Sequence, residues 1–385
     1  MPLSTRILQN LRPVLRGHPR IKGVLKKLDQ RLGTLHHSAA GVFPALIRPA
    51  PRQITFAITA RCNLLCQGCR YGRDFQLGEQ LPLDLVLRTL DEARRAGVSM
   101  ARFFGGEPLL HRDLPRMIEH ATKLGMEVYI TTNGTLLDRR IVELRDAGLK
   151  WMTIGFYGVG ERYDEYTQRQ GHFERLAHGL HAVREHCGPA FPVQLNFLLS
   201  RRTAKLEDLH AAWEFASRFG LYFNVDPISK VIPFFTDPEG ELGFEPQDRE
   251  QLAPVVRELL RLKSQHPERM PQSLELLRAL PELLLQPGSL KVPCDAYQLL
   301  WVGADGGLQL CDSAFPLGNL HERPLSEILF GKEHRDAARA GFRLECCNCN
   351  CKIDSRIRRH APTLKRYGRD WNDSSLSSAG EVRPS

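Results

Sequence analysis

Ile54-Thr55-Phe56-Ala57-Ile58-Thr59-Ala60 is an apolar, β-branched run, and it passes directly into Arg61-Cys62-Asn63-Leu64-Leu65-Cys66-Gln67-Gly68-Cys69. The first stretch reads as a strand. The second spaces three cysteines as C-x3-C-x2-C on the loop that follows it. Downstream the pattern repeats. Leu83–Ala96, stopped by Gly97, reads as a helix, and Ala101–Phe104 as a short strand. Asp113 stands where an N-cap would start a helix that ends at Gly125. Glu127–Thr132 is the next strand, with a turn at Asn133-Gly134. Leu137–Ala147, closed by Gly148, is helical, and Trp151–Tyr157 is a strand. His172–His186 reads as a helix, Val193–Leu199 as a strand, Leu206–Phe219 as a helix and Leu221–Asp226 as a strand.

Such alternation implies parallel strands with helices outside them. Six units in this span are too few for a closed eightfold barrel, which takes about 250 residues. The expected fold class is therefore α/β. The expected form is an open six-unit (β/α)6 partial barrel of the TIM type, with a doubly wound sheet as the alternative. In both, ligands bind at the carboxyl ends of the strands, where the cysteine loop sits.

The chain has 385 residues, 42% of them hydrophobic and 25% charged, which excludes pervasive disorder, a collagen-like chain and a small disulfide scaffold. No run approaches the roughly 18 apolar residues of a spanning helix. Met1–Gly17 has arginines and no apolar stretch of the secretory kind, so the expected location is cytoplasmic. Thiols stay reduced there, so the ten cysteines point to metal rather than disulfides. The expected organisation is a basic helical arm over 1–50, the barrel over 51–232 and a helical connector over 233–291. A cysteine-rich domain follows over 292–362, and a disordered tail over 363–385.

The formal net charge of +9 is concentrated at the start. Met1–Ala50 carries Arg6, Arg12, Arg16, Arg20, Lys22, Lys26, Lys27, Arg31 and Arg48 against one acid, Asp29. Ile7, Leu8, Leu11, Val14 and Leu15 follow helical spacing. Residues 1–48 could therefore make peripheral contact with an anionic surface, or form only a solvated helical face.

Three close thiolates with no fourth nearby leave a coordination position open. That suits an iron–sulfur cluster with one iron free for an exchangeable ligand, or a zinc loop completed from a distance. The C-x3-C-x2-C loop after the first strand resembles the signature of the radical S-adenosylmethionine (radical SAM) superfamily, whose members have an open six-unit barrel. The resemblance implies a [4Fe–4S] cluster on Cys62, Cys66 and Cys69, with S-adenosylmethionine on its open iron. Reductive cleavage then gives a 5′-deoxyadenosyl radical that abstracts a hydrogen atom from substrate, and the cofactors carry this chemistry.

Phe103-Phe104-Gly105-Gly106-Glu107-Pro108 closes the second strand and resembles the family's GGEP segment. Gly105, Gly106, Glu107 and Pro108 are thus expected at the amino group of S-adenosylmethionine, the two glycines letting the backbone approach a ligand. Thr132, Asn133, Tyr157 and Asn196 match strand positions that relatives use for the carboxylate and ribose. The family's aromatic residue before the third cysteine is here Gly68, and Tyr71 is expected to supply the missing surface. No catalytic side chain is identified.

Cys294-x11-Gly306-x4-Cys311, then Cys346, Cys347, Cys349 and Cys351, resembles the opening of a SPASM or Twitch auxiliary domain, as does Leu317–Leu320. The usual continuation is truncated. One auxiliary [4Fe–4S] cluster is expected, held by Cys294, Cys311 and members of the terminal group. Two partly ligated clusters, or zinc, are the alternatives. Cys187 stands alone and reads as a small buried hydrophobe.

The resulting expectation is a maturase-like radical SAM oxidoreductase acting on a peptide or protein, served by an electron donor such as flavodoxin or ferredoxin. The alternatives are a small-molecule, glycan or lipid-linked substrate. A regulator that binds nucleic acid and carries zinc or a cluster is the non-enzymatic rival.

Overall fold

The computed structural model describes residues 19–71, 73–76 and 78–364. The arm positions before 19 and the tail beyond 364 lie outside the described residues. Helix α1, Pro19–Val42, precedes the barrel. The alternation then runs β1 Gln53–Thr59, α2 Leu83–Arg95, β2 Met100–Gly105, α3 Leu114–Lys123, β3 Glu127–Thr132, α4 Leu137–Asp146 and β4 Trp151–Phe156. It continues through α5 Glu161–Thr167, α6 His172–Cys187, β5 Val193–Leu199, α7 Leu206–Arg218 and β6 Tyr222–Pro227. The glycines expected to stop helices, Gly97, Gly125, Gly148 and Gly220, all have positive φ, which frees the chain to leave the helix. Asp113 does sit at the start of α3, but its side chain caps nothing and instead pairs with Arg112 and Arg116.

Strands β1 to β6 are parallel, in the order β6-β5-β4-β3-β2-β1. Their period of two sorts the side chains. One face carries Ile54, Phe56, Ala101, Phe103, Val128, Ile130, Met152, Ile154, Leu195, Phe197 and Phe223, all fully buried. Against it pack Leu85 and Leu90 of α2, Met117 and Ile118 of α3, Ile141 and Leu144 of α4, and Leu176 and Leu180 of α6. Each such side chain withdrawn from water contributes roughly 1.5–3 kcal/mol. The helices therefore lie outside because that face is apolar, and the other face is left for a lumen.

The cysteine-rich region does not form a sheet of its own. Helices α8 Arg249–Gln265 and α9 Leu274–Leu285 lead to β7 Leu299–Val302, which pairs in parallel with β1 from Gln53↔Leu299 to Phe56↔Val302. Strands β8 Gly307–Cys311 and β9 Ala314–Asn319 follow antiparallel, giving one nine-stranded sheet. The sheet is open, with β6 and β9 at its edges. Helices α10 Leu325–Ile328, α11 Lys332–Phe342 and α12 Ile353–Leu364 complete the region. Ser326 N–H donates to Glu92 of α2 at 2.7 Å, tying α10 to the barrel.

Candidate active site and cysteine centres

The cysteine loop leaves β1 at the carboxyl end of the sheet and is anchored on both sides. Leu65 and Gln67 donate backbone N–H groups to the carbonyls of Thr167 and Tyr166 on α5 (3.0 and 2.8 Å). Arg70 N–H donates to the Phe234 carbonyl at 2.9 Å, and Thr236 N–H to the Gly68 carbonyl at 2.8 Å. Gly105 and Gly106 serve the same loop. A Cβ on Gly105 would lie 2.3 Å from the Thr59 carbonyl oxygen, and one on Gly106 2.4 Å from that of Arg61. These two glycines let the end of β2 press against the end of β1 and the start of the cysteine loop.

Glu107 is likewise a brace. It is fully buried and accepts hydrogen bonds from Leu109 N–H (3.0 Å), Thr132 Oγ1 (2.7 Å) and Asn133 N–H (2.7 Å). Burial pushes its carboxyl up to about 7 against the pull of these donors. Its oxygens hold the ends of β2 and β3 together. Pro108 is buried beside it. Asn133 does reach the cysteines. Its side chain hydrogen-bonds Cys62 and donates to Asn63 Oδ1 at 2.9 Å, while Asn63 donates to Thr135 Oγ1 at 2.9 Å. The β3 end thus fixes the loop between the first two cysteines.

Burial, with the Glu107 carboxyl behind it, pushes the Cys62 thiol up to about 12. Cys66 and Cys69 are raised by burial as well. Binding a metal here therefore releases protons. Tyr157 hydrogen-bonds the Cys66 thiol and stacks on Tyr166 at 4.2 Å.

Tyr71 is not at the loop's open side. It is 3% exposed and packed among Phe75, Phe104 and Phe234, with ring centres 4.9 to 5.9 Å away. The ring that fills the space at Gly68 belongs to Phe235, whose Cε2 stands 2.5 Å from where a Cβ would be. Sequence reasoning missed Phe235 because it arrives from the segment after β6, 167 positions downstream.

Beneath the loop the inner face of the sheet is polar. Register places Thr55, Arg102 and Tyr129 in one row, then Thr131, Thr153 and Gln194, then Asn196 and Asn224. Asn196 lies here, deeper than the cysteines, accepting from Gln194 at 2.8 Å. Arg102 lies across Phe104 at 4.7 Å and donates through Nε to Thr131 Oγ1 at 3.0 Å. Its terminal NH2 groups have no partner among the described residues. Asp226 at the end of β6 opens onto the lumen, yet protein walls surround it. Burial pushes its carboxyl up to about 6, and Arg102 pulls it back. Asp312 is raised by burial, and Lys352, whose ammonium donates to Gln53 at 3.1 Å, is lowered by desolvation.

The second cysteine group converges. Cys294, Cys311, Cys346, Cys349 and Cys351 line one small cavity. Cys347 does not: it is exposed, because neighbours in this turning segment, with Asn348 at φ 50°, point opposite ways. Burial pushes Cys294 up to about 11 and Cys311 up to about 12.

Arg356 also lines this cavity and is 1% exposed. It donates to the carbonyls of Cys349 (3.0 Å), Cys351 (3.5 Å) and Val292 (2.5 Å) and to Asn348 Oδ1 (3.2 Å). Its Nε has no partner, and among the described residues no carboxylate pairs with it; Asp295 pairs with Arg359 instead. Among the described residues no three His, Cys, Asp or Glu side chains close to the spacing of a single-ion site.

Three thiols thus stand on the first strand-to-helix loop of an open α/β barrel, at the carboxyl end of the sheet and above a polar lumen. Residues 56–198 match the family model described as the Radical SAM superfamily, and the barrel of this chain is a radical SAM domain. The enzyme's cofactors are accordingly a [4Fe–4S] cluster and S-adenosylmethionine.

The chain is 34% identical over 174 residues to the AdoMet-dependent heme synthase of Methanosarcina barkeri, a match covering 44% of this chain and about half, 48%, of that synthase. It is 25% identical over 361 residues to the Fe-coproporphyrin III synthase of the same organism, covering 83% and 86% of the two chains. In fold it is like anSMEcpe with bound AdoMet and Cp18Cys peptide (TM-score 0.60, 14% identity, 85% of this chain and 98% of that one). It is also like Streptococcus suis SuiB bound to precursor peptide SuiA (TM-score 0.58, 16% identity, 78% and 69%).

The residues present fit the cofactors. Three thiols share the barrel loop with hydrogen-bonding partners on neighbouring strands. Arg356 is a buried cation lacking an anion, on a cavity whose thiols would supply anionic ligands.

Proposed function

We propose that Cys62, Cys66 and Cys69 hold the catalytic cluster, that Asn133 and the 105–108 segment shape the S-adenosylmethionine site, and that the substrate is a small molecule bearing an acidic group. When bound, the cofactors supply an electron and a carbon-centred radical that abstracts hydrogen. Arg102 carries the substrate reading. A guanidinium inside the lumen, steadied by Thr131 and Phe104 and with neither terminal NH2 group hydrogen-bonded among the described residues, is shaped to receive a carboxylate or phosphate through two parallel hydrogen bonds. Asp226, across the lumen, can hold or release a proton near neutral pH. Glu107 keeps the strand ends in place.

The likeness to the Fe-coproporphyrin III synthase runs through most of both chains, which supports a small-molecule substrate. The peptide expectation retains one support, the peptides held by two structures of like fold. Cys294 and Cys311, with Cys346, Cys349 and Cys351 supplying the remaining ligands, are proposed to hold one auxiliary [4Fe–4S] cluster, with Cys347 left out.

Anaerobically reconstituted protein should form 5′-deoxyadenosine from S-adenosylmethionine and dithionite. Small carboxylates and phosphates should raise its melting temperature, and Arg102→Ala should abolish that rise. A rise given only by peptides, and kept by Arg102→Ala, would return the substrate to the peptide class.

A further inference from the structure

Helix α1 is fastened to the body by one side. A Cβ on Gly33 would touch the Arg359 side chain, and Thr34 Oγ1 donates to the Arg359 carbonyl at 2.8 Å. His37 is buried between His360 (3.1 Å) and the Tyr297 hydroxyl (2.9 Å). Ala40 and Ile47 are fully buried against Tyr297, Ala338 and Phe342. These contacts settle which way the helix faces, and they leave its other side in solvent.

That other side is apolar. Leu28, Leu32, Leu35, Ala39 and Val42 are all exposed and follow one another at steps of four and three, so they form a single stripe. Phe43 and Leu46 extend it past the helix end. The six large side chains of this patch are between 44% and 71% exposed, and they make up half of the exposed large hydrophobics among the described residues. A surface helix of a globular protein normally keeps its apolar stripe inward. Here the inward face is the mixed one, and the stripe points away from the body.

The charge of the same segment selects the occupant. Nine Lys and Arg stand against Asp29 in the first fifty residues, and Arg31 and Arg48, beside the stripe, are exposed. A second copy of the helix would set cations against cations. An anionic bilayer offers both halves of the match: hydrocarbon for the stripe and phosphate for the flanks. The helix, 24 residues and about 36 Å long, is suited to lie in the interface. Among the described residues no helix is long and apolar enough to cross a membrane. We infer that the α1 stripe Leu28–Leu32–Leu35–Val42, with Phe43 and Leu46, docks this chain on an anionic lipid surface.

The test uses the full chain with vesicles of phosphatidylcholine alone and vesicles containing phosphatidylglycerol. Wild-type protein should sediment with the phosphatidylglycerol vesicles and be released by high salt. Leu28→Gln/Leu32→Gln/Leu35→Gln should weaken vesicle affinity by about tenfold or more. Arg31→Gln/Arg48→Gln should weaken it less and blunt its salt dependence. Circular dichroism and 5′-deoxyadenosine formation, which depend on the barrel, check that each variant is folded.

Two results would overturn the inference. In the first, no vesicle binding is seen and light scattering shows a wild-type dimer that the triple variant converts to monomer, which assigns the stripe to a second copy. In the second, vesicles are again ignored and the triple variant melts well below wild type, which assigns the stripe to residues 1–18 of the same chain.

Discussion

Two arginines, Arg102 on β2 and Arg356 on α12, summarise how the two cysteine centres differ. Arg102 stands in the barrel lumen, hydrogen-bonded through Nε, with its terminal NH2 groups free of hydrogen bonds among the described residues. Arg356 is its inverse: the terminal groups are spent on three carbonyls and an asparagine, and only Nε is left. The first geometry can take up and release an anion that comes and goes. The second can only face a charge that stays. The cysteines around them agree. Three thiols share the barrel loop, whereas five thiols line the auxiliary cavity. One sheet thus carries an open centre for chemistry and a closed one suited to holding or passing electrons.

The comparison breaks most sharply at the open centre. Cys62→Ala/Cys66→Ala/Cys69→Ala should abolish 5′-deoxyadenosine formation and remove about four irons per chain, since three thiolates are what hold a cluster with a free iron. The auxiliary centre should keep its own iron, about four per chain, in that variant. Iron analysis and EPR of the anaerobic protein decide; formation of 5′-deoxyadenosine at the wild-type rate would refute the ligand assignment.

Arg102→Ala should separate substrate handling from cofactor cleavage. Removing a charged, doubly hydrogen-bonding group costs about 1.5–3 kcal/mol, or roughly tenfold to more than a hundredfold in kcat/KM for the acidic substrate. Formation of 5′-deoxyadenosine without substrate should persist. Equal loss of both activities would place Arg102 in the cofactor site instead.

At the closed centre the effect is smaller and electrical. Arg356→Gln removes a buried positive charge, which should make the auxiliary cluster harder to reduce. A tenfold change in that equilibrium is about 59 mV for one electron. Arg356→Lys, which keeps the charge but not the fork, should retain most of the wild-type midpoint. Redox titration followed by EPR in the triple-cysteine background measures this without interference from the barrel cluster. Cys347→Ser should leave iron content unchanged.

Most of the barrel was legible in the sequence because its signals are local. Period-two apolar runs became β1 to β6, and Gly97, Gly125, Gly148 and Gly220 ended helices as expected. Asn133 ends β3, and that strand-end position carries it to Cys62. What was not legible depended on contacts between distant segments. That Gly105 and Gly106 also admit the backbone of Thr59 and Arg61 could not be read from their spacing. Tyr71 is a plausible surface aromatic until Phe75, Phe104 and Phe234 close around it. Phe235 at Gly68, the union of β7 with β1, and the outward turn of Cys347 are all long-range or conformational facts that no spacing encodes. Arg356 carried no motif, and its importance appears only as an unpartnered donor beside five thiols.

The smallest expected effect tests whether the lumen alone contains a freely titrating acid. Asp295, beside the auxiliary cavity, is held by Arg359, whereas Asp226 has no ion-pair partner among the described residues. Burial raises the Asp226 carboxyl from the ordinary 3.8 to about 6, with Arg102 opposing. Between those values the folded chain keeps a proton that the unfolded chain has released. Stability from this group is therefore full below about pH 4 and is lost as pH rises through about 6. Because the carboxyl opens onto the lumen, water there screens it, and the change should be modest. Asp226→Asn cannot ionise, so its melting temperature should gain on wild type as pH rises from 4 to 7, with the two converging on the acid side. Parallel pH profiles would show that the carboxyl titrates normally and that the lumen is as well solvated as bulk water at β6. A profile that shifts to higher pH in Arg102→Ala would confirm that the two groups face each other across the site.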